Sequence, residues 1–335
     1  MTAEEHILLA HGSGGGLSSQ LINDIIRPYI ANENMSFDDA AALTLSGKLA
    51  FTTDSYVVSP LFFPGGNIGR LAVCGTVNDL ATAGAVPKYL SLSFIIEEGF
   101  AIADLKKILQ DIKDSAEEAG VQIVTGDTKV VDKGAGDGIF INTAGLGIIA
   151  ENNNPSAQNI KAGDKIILSG TIGDHGMTIM SLRHELGFSG NLQSDSAPLN
   201  HMVAAVLAIC PEMSAMRDPT RGGLATTLNE LSLACRHKIV IDENKVPINN
   251  AVRGACQMLG LDPYYVANEG KMIFVCRADK AQSVLSTMQK NKYGHQAAII
   301  GEITEQSGFG VSVRTSLGAL RRLDIIHGEL LPRIC

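Results

Sequence analysis

Five aspartates lie where their carboxylates could meet a metal ion or a phosphate group. All stand in polar loops or at the expected ends of strands and helices: Asp38, Asp39, Asp54, Asp79 and Asp127. Mg²⁺ prefers oxygen ligands and takes one or two protein carboxylates plus substrate phosphates, so a scattered set can hold more than one ion. A single aspartate of this kind is more often a turn residue. The set as a whole favours a magnesium site.

A glycine-rich segment, His11-Gly12-Ser13-Gly14-Gly15-Gly16, precedes a helical pattern of apolar residues near the N-terminus. Such a segment exposes backbone N–H groups to an anion at the start of a helix. It is not a dinucleotide fingerprint, because Leu17 occupies the last glycine position, and no Gly-Lys-Ser/Thr follows to make a Walker loop. A flexible terminal linker explains the composition equally well.

Two segments of the second half could also act on a phosphorylated ligand. Arg217-Asp218-Pro219-Thr220-Arg221-Gly222-Gly223 opens a predicted helix, with Thr220 as a possible N-cap, and its arginines favour a phosphate loop. The alternative is a capped surface turn. Glu269, just before a predicted strand, could be a general base or an ordinary turn glutamate. Lys129 could neutralise phosphate or pair with a nearby carboxylate.

The chain ends in Cys335, one of six cysteines that form no C-x-x-C pair. Zinc, iron–sulfur and disulfide frameworks are therefore not expected, and the other five cysteines are expected in the core. Prenylation needs a cysteine four residues from the end, where Pro332 stands. A terminal residue is free to reach a distant site, and a thiol of pKa about 8.5 is partly thiolate at neutral pH. An exposed cysteine without function is the alternative.

Composition excludes several classes of protein. The 335 residues predict two domains, and 45% hydrophobic against 19% charged residues indicate a globular chain. A net charge of -8 argues against nucleic-acid binding. Because no stretch reaches about 18 apolar residues and Met1–Glu5 lacks a positive start, we expect no membrane association and a cytoplasmic protein.

The periodicity of apolar residues alternates between strands and helices. Helices are predicted at Asp104–Ala119, His175–Leu186, Gly223–His237, Val252–Leu259 and Asp279–Gln289. Strands are predicted at Leu49–Val58, Tyr89–Ile96, Val121–Val124, Phe140–Ile149, Lys165–Leu168, Ile239–Ile241, Met272–Cys276 and Ala298–Ile303. The pattern indicates an α+β fold, or α/β sandwich, with helices on one side of a mixed sheet in the C-terminal domain. We expect domains at 1–150 and 164–320, a linker at 151–163 and a flexible tail at 321–335.

Together these segments resemble the HypE family of hydrogenase maturation proteins, within the superfamily of ATP-using enzymes typified by aminoimidazole ribonucleotide synthetase. The resemblance spans the chain, and its terminal Pro-Arg-Ile-Cys is specific to the family. It rests on these segments: His11–Gly16, Phe51–Tyr56, Pro64–Gly69, Asn78-Asp79, Gly126–Lys129, Arg217–Gly223, Asn268–Lys271 and Pro332–Cys335.

The resemblance implies a homodimer in which the N-terminal mixed sheets of two subunits form a barrel, with nucleotide clefts at the interface. It also implies that Cys335 receives a carbamoyl group from a HypF-type carbamoyltransferase and that ATP with Mg²⁺ dehydrates the thiocarbamate to a thiocyanate. The cyanide would then pass to iron on a HypC–HypD complex, as a ligand of the nickel–iron hydrogenase centre.

The resemblance also implies roles for individual residues. Cys335 would carry the group, Glu269 would accept amide protons, and Lys129 would stabilise charge. The five aspartates would hold magnesium, and the nucleotide would be bound by His11, Gly14, Gly15, Gly16, Asn78, Asp79, Asp127 and Arg221. Two rivals are a phosphotransferase of the same superfamily, such as a thiamine-phosphate kinase or a selenophosphate synthetase, and a non-catalytic scaffold. Neither kind of phosphotransferase explains Cys335.

Overall fold

The computed structural model describes residues 5–35, 40–184, 192–325 and 333–335, and Asp38 and Asp39 lie outside them. The α+β architecture predicted from the sequence is confirmed. Its α-helices are α1 Gly16–Gln20, α2 Arg27–Ile30, α3 Ile68–Thr82, α4 Ile102–Ala119, α5 Asp174–Arg183, α6 Asn200–Ile209, α7 Gly223–Cys235, α8 Asn250–Leu259 and α9 Ala278–Gln289. Its strands are β1 Lys48–Tyr56, β2 Phe62–Phe63, β3 Gly66–Asn67, β4 Ala85–Glu97, β5 Gln122–Val131, β6 Ile139–Ile149, β7 Lys165–Leu168, β8 Ala215–Arg217, β9 His237–Asp242, β10 Ile273–Cys276, β11 Ala298–Ser307, β12 Val311–Arg314 and β13 Leu320–Leu323. None of the described helices is both long and apolar enough to cross a membrane.

The N-terminal sheet has the strand order β1-β6-β4-β5, with only β4 and β5 parallel. Its two faces differ because side chains alternate along each strand. One face is buried beneath α3 and α4 and contributes Leu90, Leu92 and Phe94 to the core. The opposite face leaves Phe51 69% exposed and Val86 47% exposed. Such a row of apolar side chains on an open sheet is typical of an interface.

Helix α3 was not predicted from the sequence, although it carries part of the candidate site. Almost all of its side chains are buried, so it has no polar face and no apolar stripe with helical spacing. Its start is fixed by Asn67, whose Oδ1 accepts the Gly69 N–H at 2.8 Å. Asp79 lies in the last turn of this helix, at the end of an element as expected from the sequence.

The C-terminal sheet has seven strands in the order β13-β12-β9-β11-β7-β10-β8, and only β12 and β9 run parallel. The sequence predicted helices on one side of this mixed sheet, whereas they cover both faces of its central strands. Ile166 packs in the cluster that contains α7, and Ile167 packs in the cluster that contains α6 and α9. Consecutive apolar residues in β7 are the physical reason, because a strand buried on both faces does not alternate.

Candidate active site

A cavity of about 500 Å³ lies between the two domains at the β1 edge of the N-terminal sheet. β1 supplies Asp54, α3 supplies Asp79, the segment between β8 and α7 supplies Arg221, and the segment before β10 supplies Glu269. Cys335 lies in the same cavity. Five predicted site residues, spread over almost the whole chain, are therefore brought together.

The acidic side of the cavity holds three aspartates. Thr52 donates a hydrogen bond to Oδ2 of Asp79 at 3.0 Å. Burial, followed by the nearby charge of Asp218, raises the pKa of Asp79 to about 7. Burial also raises the pKa of Asp218. With Asp54 beside them, these carboxylates repel one another, so the cavity favours ligands that bring positive charge.

The loop before α7 contributes the cationic side of the cavity. The helix begins after Gly222, which has a left-handed backbone and makes no side-chain cap, so the predicted capping role of Thr220 is wrong. Gly223 lies too close to the backbone of 264–266 to accept a side chain, since a Cβ would come within 2.6 Å of Val266 O. Arg217 is paired with Glu230 at 2.7 Å. Arg221 is exposed, and its charge favours the thiolate of Cys335.

Glu269 is the buried acid of the site, with 4% of its surface exposed. Its Oε1 has no hydrogen-bond partner within the described part of the chain. Burial, and then the charges of Asp195 and Asp218, raise the pKa of Glu269 well above its ordinary value. An unpaired polar atom at this depth is costly unless a ligand or water satisfies it.

The backbone around Glu269 is held by hydrogen bonds of Asp195 and Asn268. Its N–H donates to Oδ1 of Asp195 at 3.1 Å, and Asp195 forms a buried ion pair with Lys271 at 3.0 Å. Burial alone would raise the pKa of Asp195, but the charge of Lys271 and the hydrogen bonds from Lys271 and the Glu269 N–H hold it below its ordinary value. Asn268 accepts from Gly173 N at 2.7 Å and donates to Pro219 O at 2.8 Å. The loop is therefore rigid.

The chain end is docked in this cavity. Ile334 is 3% exposed and packs in the N-terminal core, and the Arg333 side chain donates to Val57 O at 3.2 Å and pairs with Asp137. Cys335 lies beside Glu269, and burial followed by that carboxylate raises the pKa of the thiol above its ordinary value. All six cysteines are free, four of them buried, and Cys235 and Cys335 half-buried.

A second group of predicted residues lies at the other edge of the N-terminal sheet. The glycine-rich segment packs on β5, because a Cβ on Gly12 would come within 2.6 Å of Val130 N. Gly14, Gly15 and Gly16 face open space, and α1 begins at Gly16. His11 is buried, and its Nδ1 accepts the Leu8 N–H at 2.8 Å.

Asp127 and Lys129 belong to this second group and form an exposed ion pair at 2.9 Å. Asp127 was expected just after a strand, but β5 continues through it to Val131. It shares a row with Ser55, through the pairs Asp127–Ser93, Ser93–Asn142 and Asn142–Ser55. Paired residues point to the same face, so Asp127 lies on the open face and Asp54 points the other way. Three strand spacings, about 14 Å, separate the two edges.

Asn78 does not line the cavity. Its Nδ2 donates to Ala197 O at 3.0 Å and its Oδ1 accepts from Leu199 N at 2.8 Å, so it joins α3 to the C-terminal domain. Sequence reasoning also missed Asp195 and His175, which do not line the cavity but contact the Glu269 N–H and the Ile334 carbonyl. Asp195 stands in no recognisable pattern, and His175 stands in a Gly-Asp-His-Gly segment that matches no catalytic or metal-binding motif.

The cavity suits magnesium bound together with a nucleotide better than magnesium alone. Within the four described ranges, no three His, Cys, Asp or Glu side chains converge into a metal cage. However, Mg²⁺ commonly takes one or two carboxylates and completes its shell with waters and phosphates. The crowded carboxylates and the unpaired Oε1 of Glu269 fit that arrangement.

Comparisons with known proteins agree with this geometry. The family model described as AIR synthase related protein, N-terminal domain, matches residues 37–149. The family model described as AIR synthase related protein, C-terminal domain, matches residues 161–314. The carbamoyl dehydratase HypE of Azotobacter vinelandii is 48% identical over 329 residues, 98% of this chain and 96% of that protein. A crystal structure of a hydrogenase maturation protein HypE in complex with ATP has a TM-score of 0.95 at 45% identity, covering 98% of this chain and 99% of that chain. A chain of a HypE–HypF complex has a TM-score of 0.81 at 46% identity, with 91% and 99% covered. The chain therefore belongs to the HypE family of carbamoyl dehydratases, built from the two AIR synthase related domains.

Proposed function

We propose that the chain is an ATP-dependent dehydratase that converts a carbamoyl group on the Cys335 thiol into a thiocyanate. The observation that carries this proposal is the meeting of Cys335 and Glu269 in a cavity lined by Asp54, Asp79 and Arg221. A thiol, a buried carboxylate and a set of phosphate-binding and metal-binding groups are what this reaction requires. The similarity to a HypE protein in complex with ATP supports the choice of nucleotide.

The balanced reaction is thiocarbamate plus ATP to thiocyanate, ADP, phosphate and a proton. The amide oxygen bonds to the γ-phosphorus as the bond to ADP breaks, which turns a poor leaving group into phosphate. The nitrogen loses its two protons as the C–O bond breaks and the C≡N bond forms. One proton leaves with phosphate and the other reaches solvent. Glu269 is the candidate acceptor for the nitrogen protons, because it is the carboxylate beside the carrier sulfur.

The remaining candidate residues bind and neutralise the negative charge of the triphosphate. Arg221 can bind a phosphate oxygen in two-point fashion, as guanidinium groups do. Asp54 and Asp79, with Asp38, Asp39 and Asp127, are the candidate magnesium ligands, and the ion supplies charge neutralisation at the triphosphate. Ionised Glu269 is a stronger base than an exposed glutamate because burial raises its pKa. Cations bound in the cavity lower that pKa and make the carboxylate available.

We also propose that one cleft uses residues of two protomers. Glu269 and Cys335 lie at the β1 edge, whereas Asp127 and Lys129 lie on the open face near the β5 edge, about three strand spacings away. A second sheet packed on that open face would bury Phe51 and bring a second copy of Lys129 to the cleft. His11, the glycine segment and Asn78 would then act as support for the nucleotide-binding surfaces rather than as isolated sites.

Mixing two inactive variants tests the shared cleft. Lys129→Ala and Glu269→Gln should each fail to dehydrate the loaded thiol. After subunit exchange, half of the dimers are mixed and each holds one intact cleft, so about a quarter of the clefts recover. If all the residues of one cleft belonged to one protomer, the mixture would stay inactive.

The proposed partners are a HypF-type carbamoyltransferase as donor and a HypC–HypD complex as acceptor of cyanide for hydrogenase iron. The similarity to a chain of a HypE–HypF complex supports the first. The reaction needs Cys335 as a free thiol, which agrees with the reducing cytoplasm expected from the sequence.

Mass spectrometry of the C-terminal peptide tests the reaction itself. Incubation with the carbamoyl donor should add a carbamoyl group to Cys335, and ATP with Mg²⁺ should then remove one water. Glu269→Gln should keep the first step and slow the second by about 10² to 10⁴, the usual contribution of a general base. Glu230→Gln is the matched control, since Glu230 lines the same cavity but pairs with Arg217. Modification and dehydration in Cys335→Ser would refute the carrier role.

A further inference from the structure

A fully buried histidine lies beneath the last residues of the chain. His175, in the first turn of α5, is 0% exposed, and its Nε2 lies 2.8 Å from the carbonyl oxygen of Ile334. Its Nδ1 lies 2.7 Å from Oγ of Ser194. A carbonyl cannot donate, so Nε2 must carry a ring hydrogen and donate it to Ile334. In the neutral ring, Nδ1 then accepts from Ser194.

The imidazole is held rigidly from several directions. The Phe63 ring packs against it in a T-shaped arrangement, with a centroid distance of 5.5 Å and an interplanar angle of 85°. Oγ of Ser194 also accepts the Ser196 N–H at 3.1 Å, which fixes the hydroxyl that faces Nδ1. Burial lowers the pKa of His175, which favours the neutral ring. The Nε2–H is therefore a fixed donor aimed at one carbonyl.

The same helix start is tied to the loop that carries Glu269. Gly173 N donates to Asn268 at 2.7 Å, and Gly176 N donates to Ala267 O at 3.1 Å. His175 stands between these two glycines. One short, rigid connection thus links the imidazole to Glu269, and the hydrogen bond to Ile334 links it to the peptide that precedes Cys335.

The other contacts of the chain end are less enclosed. The Arg333 side chain is 44% exposed where it pairs with Asp137. The Arg333 carbonyl accepts from Ser59 N at 3.3 Å and from Arg183. Among the hydrogen bonds described for residues 333–335, the one to the Ile334 carbonyl comes from a completely buried side chain, and Ile334 is the residue next to the thiol.

We propose that His175 is a positioning residue for the carrier thiol, holding the Ile334 carbonyl so that the Cys335 sulfur lies beside Glu269. The inference rests on the proposed function for its meaning, because positioning matters only if Cys335 carries the reacting group. The docking itself is measurable without turnover. An amide in place of the imidazole discriminates the two ring nitrogens, since glutamine presents its N–H near the Nε2 position and asparagine near the Nδ1 position.

The first experiment is alkylation of the full-length protein with iodoacetamide, followed by mass spectrometry of the C-terminal peptide. His175→Asn removes the donor to Ile334, and the rate at Cys335 should rise about tenfold, equivalent to about 1.4 kcal/mol. His175→Gln keeps a donor and should react near the wild-type rate. His201→Asn is the control, because His201 contacts the Glu118 carbonyl at 3.0 Å and is not among the contacts of the chain end.

Buried Cys276 reports whether each variant is folded, since it reacts only if the core opens. Equal reactivity of Cys335 in the Asn and Gln variants, whether both high or both low, would overturn the proposal. With the loaded protein, His175→Asn should slow dehydration about tenfold and leave the KM for ATP unchanged, and His175→Gln should restore the rate. If the wild-type protein is loaded but never dehydrates its adduct, the proposed function fails while the alkylation result still stands.

Discussion

Removing the charge of Asp79 is expected to stabilise the protein while it abolishes turnover. Burial and the charge of Asp218 raise the pKa of this carboxyl from 3.8 to about 7. Between these two values the unfolded chain has lost the proton while the folded protein keeps it. The folded state binds more protons in this window, so the free energy of unfolding falls as the pH rises from about 4 to about 7.

The size of the effect follows from the shift. About three pKa units at about 1.36 kcal/mol each give about 4 kcal/mol as an upper limit, because water still reaches the half-buried side chain. Asp79→Asn carries no charge at any pH. In protein free of nucleotide and metal, the free energy of unfolding of the variant should exceed that of wild type by almost nothing at pH 4. The difference should grow through pH 7 and remain constant above it. Stability lost to a functional charge is a common compromise.

Urea unfolding at a series of pH values measures this difference. Glu97→Gln is the control of opposite sign, because the N–H groups of Gly138 and Gly134 lower the pKa of Glu97. That variant should be less stable than wild type at pH 7, and the loss should fade as the pH falls. If Asp79→Asn raised the free energy of unfolding equally at pH 4 and pH 8, the destabilisation could not be assigned to the ionised Asp79 carboxylate.

Three further predictions address the interface, the loop before α7 and the loop before β10. Phe51→Lys should shift the protein toward the monomer in analytical ultracentrifugation while the circular dichroism spectrum stays unchanged, because Phe51 is 69% exposed on the open face; an unchanged mass would exclude that face as the interface. Gly223→Ala should destabilise the protein by about 3 kcal/mol or more in thermal unfolding, since φ is +61° and backbone oxygens lie within 2.7 Å of a new Cβ. Gly254→Ala is the control and should not lower the Tm, because its new Cβ meets nothing within 4 Å. Asn268→Ala should lower the free energy of unfolding by about 2 kcal/mol, because it leaves the buried Gly173 N–H unpaired and removes the side-chain hydrogen bond to the Pro219 carbonyl, which keeps only the Asn268 backbone N–H. A loss well below about 1 kcal/mol would show that the loop is held by other contacts.

Much of the secondary structure followed from local periodicity. Helix α4 was predicted almost to its ends because Leu105, Ile108 and Leu109 form one apolar face and Gly120 supplies the left-handed stop. Strand β7 was predicted at its observed bounds. Helix α3 was missed for the opposite reason, since burial on every side erases the periodic signal.

Residues capable of chemistry were recognisable in the sequence, because the chemical properties of a glycine, an aspartate or a terminal cysteine depend on the residue type and its neighbours along the chain. Residue type, position at the end of a predicted element or of the chain, and the family resemblance indicated Cys335, Glu269, Asp79 and Lys129 as candidates. Only the tertiary structure decided which of them meet: Cys335, Glu269 and Asp79 share one cavity, and Lys129 lies on the open face near the far edge of the sheet. The contacts of Asp195 with the Glu269 N–H and of His175 with the Ile334 carbonyl were decided in the same way. Burial, electrostatic repulsion and hydrogen-bond partners arise between segments far apart in sequence, and no local pattern encodes them.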